Sequence, residues 1–133
     1  MKVRSDDAVN NNWLILNSCY TVSCAKNDTI VSNITVIPPE EHLRVYSNGG
    51  HMYYTMKGNL NIFPISIYVN NNSMANILSH KEVENSFRVT MNKKEDHAML
   101  VHFNKYKAYR FKECENGLYY LDISDPENCP TNS

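Results

Sequence analysis

The chain has 133 residues, 42% hydrophobic and 20% charged, enough for one domain with a single modest core and too few for two ordinary domains. Thirteen basic and fourteen acidic residues leave a formal net charge of -1, and no like-charged run is longer than a pair such as Lys93-Lys94. A nucleic-acid groove needs a clustered basic face, and a membrane-spanning helix needs roughly 18 apolar residues, whereas the longest apolar stretch runs only from Trp13 to Leu16. Neither nucleic acid nor a membrane is therefore expected as a partner.

Residues 1–12 (MKVRSDDAVNNN) are polar and aperiodic and contain no apolar signal segment, so they read as a flexible arm of an intracellular protein. Order is expected from Trp13. Short segments rich in Val, Ile, Tyr and Phe follow: WLIL at 13–16, ITVI at 34–37, LRVY at 43–46, HMYYTM at 51–56, LNIFPISIYV at 60–69, FRVTM at 87–91, MLVHF at 99–103, YKAYRF at 106–111 and LYYLDI at 118–123. They recur about every ten residues, the spacing of an all-β domain.

Turn chemistry falls between these segments. Asn48-Gly49-Gly50 gives the strongest hairpin signal, because Asn and Gly tolerate the positive φ of a tight turn. Asn116-Gly117 gives a second corner and Asn104-Lys105 a weaker one. Pro64 marks an edge, a bulge or a break between two strands. Only Ser73–Glu84 (SMANILSHKEVE) reads as helical, with Ser73 as its cap and Ile77, Leu78 and Val83 as a partial apolar face. The sequence thus predicts eight or nine strands and one short helix over residues 13–123, followed by a tail at 124–133.

Four cysteines (Cys19, Cys24, Cys114, Cys129) form no CxxC pair, so reduced thiols are expected. The five histidines lack the spacing of a zinc site, and neither a metal nor another cofactor is expected.

The most specific stretch is WLILNSCYTVS at 13–23, an apolar strand running into a short polar turn. It is followed by the Gly-containing hairpin VYSNGGHMYYTMKGNLN, then SMANILSHKEVENSFRVTM and finally ENGLYYLDI. In order and spacing these four pieces resemble the protease domain of copia-type retrotransposon polyproteins. The resemblance covers residues 13–123. It implies a retropepsin-like fold, a closed β-barrel lobe that supplies half of an aspartic-protease site and pairs as a homodimer around an extended peptide or polyprotein segment. It also implies that the hairpin around Asn48, Gly49 and Gly50 is a flap, that Cys19 and a flap tyrosine, Tyr53 or with a one-residue change of register Tyr54, line the peptide site, and that Ser18 and Thr21 support the catalytic loop.

At the position where the resemblance calls for Asp, this chain has Asn17, with Cys19 at a position often held by Gly. An aspartic protease activates water between two carboxylates that share one proton, and an amide cannot take part in that exchange. No normal peptidase chemistry is expected of the chain as written. Asn17 is open to three origins: an engineered change, a natural loss in a decayed or domesticated element, or a residue that deamidates to Asp. Two other functions stand beside this one, an active polyprotein-processing protease captured as an inactive Asp-to-Asn variant and a β-rich interaction module unrelated to proteases.

Overall fold

The computed structural model describes residues 11–18, 20–47, 50–92, 94, 97–114 and 118–125. Twelve strands and one α-helix are seen among them. In chain order they are β1 (Trp13–Asn17), β2 (Cys24–Ala25), β3 (Val31–Val36), β4 (Leu43–Ser47), β5 (Gly50–Tyr54), β6 (Met56–Leu60), β7 (Ser66–Val69), β8 (Asn76–Ser79), α1 (His80–Ser86), β9 (Arg88–Asn92), β10 (Ala98–His102), β11 (Ala108–Glu113) and β12 (Tyr119–Asp122). Short 3-10 turns at Asp28–Ile30 and Pro39–Glu41 precede β3 and β4. No helix among the described residues is long and apolar enough to cross a membrane.

Alternation of side chains explains most of the strands. In β1, Leu14 and Leu16 are buried while Trp13, Ile15 and Asn17 are half-buried; in β11, Tyr109 and Phe111 point inward and Arg110 and Lys112 outward. Ten strands form one sheet in the order β3-β6-β7-β2-β8-β1-β12-β11-β10-β9, and β4 and β5 form a separate hairpin.

The fold is mostly β with one short helix, but the closed barrel expected from the resemblance is not formed. β3 and β9 are the two edges of the sheet and do not pair with each other. At one edge the β3–β6 ladder is irregular between Ser32 and Thr35, where Asn33 adopts φ 56°, and an irregularity of that kind twists an edge strand away from further pairing. The sheet nevertheless curls enough for its two halves to share a core. Phe63, in the turn between β6 and β7, lies 4.9 Å from the ring of Tyr109 and 6.3 Å from that of Phe111, and 5.6 Å from Phe87 beyond α1.

Four sequence expectations are corrected by this topology. Residues 73–84 are not one helix: Asn76–Ser79 is a strand running parallel to β1, and the helix begins only at His80. With Asn76, Leu78 and Ser79 all buried, this central strand has no solvent-exposed face, and its polar residues therefore show no period that distinguishes strand from helix. The cap moves accordingly from Ser73 to Ser79, whose hydroxyl accepts from Glu82 N–H, while Ser73 is buried against the Tyr54 hydroxyl. The segment 51–56 divides at Thr55 into β5 and β6, whereas the division of 60–69 around Pro64 into β6 and β7 is one of the readings that proline allowed, a break between two strands. β2 was not foreseen at all, being two residues long. At the edges of the domain, Asn11 and Asn12 do not belong to a loose arm: their carbonyls accept from Asn76 and Asn27 side chains and from Ile123 N–H.

Phe63→Ala removes a ring that is 1% exposed at the meeting point of both halves. It should cost about 3–5 kcal/mol in a urea unfolding titration, the range for deleting a buried aromatic side chain. Val36→Ala, at a position 76% exposed, should change the same midpoint negligibly.

Candidate functional site

Because β1 and β8 are parallel, their C-terminal ends emerge together, with Asn17 beside Ser79 in the register. The chain leaving β1 is fastened to the β8–α1 junction by polar side chains. The Ser79 hydroxyl donates to the Tyr20 carbonyl at 2.8 Å, and Ser79 N–H donates to Ser23 Oγ at 2.9 Å. Ser23 in turn donates to Glu82 Oε1 at 2.6 Å. One strand turn earlier, Asn76 accepts from Lys26 and Asn27 N–H at 2.8 Å each and donates to the Asn11 and Trp13 carbonyls. Among the described residues no buried side-chain nitrogen or oxygen lacks a hydrogen-bond partner.

The β4–β5 hairpin stands apart from the large sheet and is anchored at its base. The Tyr54 hydroxyl lies 2.7 Å from Ser73 Oγ, Asn70 Nδ2 donates to the Tyr53 carbonyl, and Ile37 N–H donates to the Thr55 carbonyl. Register places Leu43, Val45, Met52 and Tyr54 on one face and Arg44, Tyr46, His51 and Tyr53 on the other. Between the hairpin and the segment after β1 runs an open groove of about 420 Å³, lined by Tyr20, Thr21 and Val22 on one side and Leu43–Tyr46 on the other. A second hollow of about 440 Å³, lined by Pro39, His42, Leu43, Arg44, Tyr46 and Tyr53, shares Leu43, Arg44 and Tyr46 with the first.

The groove suits an extended chain better than a small reactive molecule. It is open, it has a strand on one wall, and no carboxylate of the described residues lines it. Nearby, burial pushes the Cys24 thiol up to about 11 and the Tyr54 hydroxyl up to about 12, the latter partly offset by Ser73, so both stay protonated and unreactive at neutral pH. No cluster of three His, Cys, Asp or Glu residues able to hold a metal occurs among the described residues.

The residues singled out in the sequence fall into three groups. Asn17 and Ser18 sit at the end of β1 and in the turn beyond it, and Thr21 is exposed on the rim of the groove. The hydrogen bonds that fix the loop come from Ser79 and Ser23 instead of Thr21. Gly50 opens β5 with φ 118°, a conformation that L side chains rarely adopt, and Tyr53 is 44% exposed on the Arg44 face of the hairpin. Cys19, Asn48 and Gly49 lie outside the described residues. Sequence reasoning missed Ser23, Ser79, Glu82 and Arg44. The signal for two of them was present as Ser79-His80-Lys81-Glu82, the Ser-x-x-Glu pattern of a helix start.

No protein family, no curated protein and no solved structure matches the chain. The chemistry of Cys24 gives a direct check on the packing around the hairpin base. With its side chain 2% exposed, Cys24 should resist iodoacetamide at pH 8 in the native protein, whereas half-buried Cys114 should react. The unfolded chain releases the Cys24 proton near the ordinary value of 9.0, before the folded one does near 11. That stability contribution is therefore whole below about pH 9 and is lost as the pH rises towards 11. Cys24→Ala should show a smaller fall in urea midpoint across that window than the wild type, and equal falls would contradict the assignment.

Proposed function

We propose that this chain is a retropepsin-like lobe of the copia type, part of an intracellular polyprotein or derived from one, that holds an extended peptide and pairs with a second copy but does not hydrolyse the peptide. The observation that carries the reading is the position of Asn17. It ends a strand lying parallel to β8, next to the Ser79 junction and near a detached hairpin, with a strand-walled groove between the hairpin and the segment that follows it. An aspartic-protease lobe needs one acidic side chain on such a loop, a hairpin that folds over substrate, and a second lobe to supply the other acid. This chain has the loop and the hairpin, with an amide in the acid's place.

The groove would recognise its ligand through backbone hydrogen bonds to an extended segment, with side chains sorted by the hollows on either side of β4. Hydrolysis fails for a simple reason. Two Asn17 amides facing each other across a two-fold axis can neither share a proton nor draw one from water, so no nucleophile is generated. The alternative in which the parent protein is an active polyprotein protease uses the same geometry and differs only in whether Asp once stood at position 17.

The test is restoration. Asn17→Asp should gain cleavage of a peptide or of its own polyprotein at mildly acidic pH, blocked by an active-site aspartic-protease inhibitor, while the protein as written stays inert. The restored activity should fall on both sides of its optimum, since one carboxyl must be protonated and its partner ionised. Light scattering on both proteins should report a dimer. A monomer at high concentration together with an inert Asp variant would favour an interaction module without protease ancestry.

A further inference from the structure

Leu43, Arg44 and Tyr46 line both the groove and the outer hollow, and of the three Arg44 alone carries a charge. Its guanidinium lies 4.6 Å from the ring centroid of Tyr53 and 5.8 Å from that of Tyr46, and one N–H donates to the Tyr46 hydroxyl at 2.8 Å. No carboxylate of the described residues forms an ion pair with it; the pairs present are His80–Glu84 and His97–Glu113, on other elements. His42 lines the same hollow, and the ring of His51 stands 5.7 Å from Tyr46 and 5.2 Å from Tyr53. The wall of the groove therefore presents one fixed positive charge framed by aromatic rings, with no negative charge among the residues lining either hollow.

We propose that Arg44 selects an acidic side chain, Asp or Glu, in the extended peptide that occupies the groove. The inference depends on the peptide-binding reading above and gives it a substrate class. An arginine stacked on tyrosine keeps its planar fork aimed outward while paying little further entropy on binding, and the N–H groups not taken by Tyr46 match the two oxygens of a carboxylate. A neutral side chain at that point would offer the guanidinium no carboxylate to pair with, and a basic one would meet it with like charge. Charge complementarity thus decides the occupant where shape alone would accept many.

The experiment uses fluorescein-labelled nonapeptides of Thr, Val and Ala in which a single Glu is moved through every position, each with Gln and Lys counterparts. Their binding to the full chain is followed by anisotropy at low salt. At one position the Glu peptide should bind about fivefold to tenfold tighter than the Gln peptide, and the Lys peptide more weakly than either. Arg44→Gln should erase that difference and Arg44→Glu should reverse it in favour of Lys. Arg44 is exposed, so both variants should keep the wild-type melting temperature; Tyr46→Phe, which removes only the hydroxyl that holds the guanidinium, should shrink the Glu preference without reversing it. Equal affinity of the Glu, Gln and Lys forms at every position would overturn the acidic selectivity and leave the peptide groove standing. A Glu preference that survives in Arg44→Glu would overturn it too, by moving the recognition to another group. Binding of no peptide at all would overturn the groove reading and this inference together.

Discussion

A parallel neighbour cannot be delivered by a tight turn, so the pairing of Leu14 with Asn76 and of Asn17 with Ser79 places six strands, the β4–β5 hairpin among them, in the crossover between β1 and β8. That single constraint arranges the rest. Both strands run the same way, so the turn after β1 and the start of α1 emerge at one end and become neighbours. The short β2 then returns between β8 and β7, antiparallel to the first and parallel to the second, because the crossover has to re-enter the sheet beside the strand that closes it. The hairpin is left outside the large sheet, free of ladder bonds to it, with a groove between it and Tyr20, Thr21 and Val22 of the segment that follows β1.

Two kinds of interaction hold this arrangement, and their magnitudes assign them different tasks. The apolar core supplies most of the driving force: full burial of side chains such as Leu14, Ile67, Phe63 and Phe111 is worth about 1.5–3 kcal/mol each. The buried polar side chains Ser23, Asn76 and Ser79 gain little over water, roughly 1 kcal/mol per hydrogen bond, yet leaving any of their groups unmatched costs more than that. They therefore select one arrangement more than they add stability. A one-residue slip of β1 would turn Leu14 and Leu16 away from the core and separate Asn76 from the Trp13 carbonyl at the same time, so the apolar pattern and the polar network enforce the same register.

What the sequence disclosed follows the same division. Strands with one covered face, such as WLIL and YKAYRF, announce themselves by alternation, and the Asn104 turn by its side chain, which accepts from the Tyr106 and Lys107 N–H groups. NILS did not, since its polar residues Asn76 and Ser79 are themselves buried and mark no solvent face, and the spacing of Ile77, Leu78 and Val83 read as the apolar face of a helix. The curled but open sheet was also beyond a single sequence: whether edges close depends on accumulated twist and on one residue, Asn33, in the left-handed region. Asn17 could be placed at the end of β1 from the motif alone. Ser79 carries a local helix-start pattern with Glu82, but its bond to Ser23 could not be read, because it joins residues 56 positions apart and Ser23 does not differ locally from an ordinary serine.

In the proposed dimer, an amide at position 17, where the resemblance calls for a carboxylate, would alter more than catalysis. Two ionised carboxylates meeting on an axis repel each other, and an active dyad is held together only by sharing a proton, which ties its assembly and its chemistry to pH. Asn has nearly the same shape and offers both donors and an acceptor, so two of them can face each other at any pH without that repulsion. The contact that made such a site reactive becomes one that is electrically neutral. What charge remains at the groove is concentrated in Arg44, on the hairpin and away from the axis, with a guanidinium that stays protonated at every pH the fold survives. Recognition in such a lobe would answer to ionic strength, through the screening of that one charge, far more than to acidity.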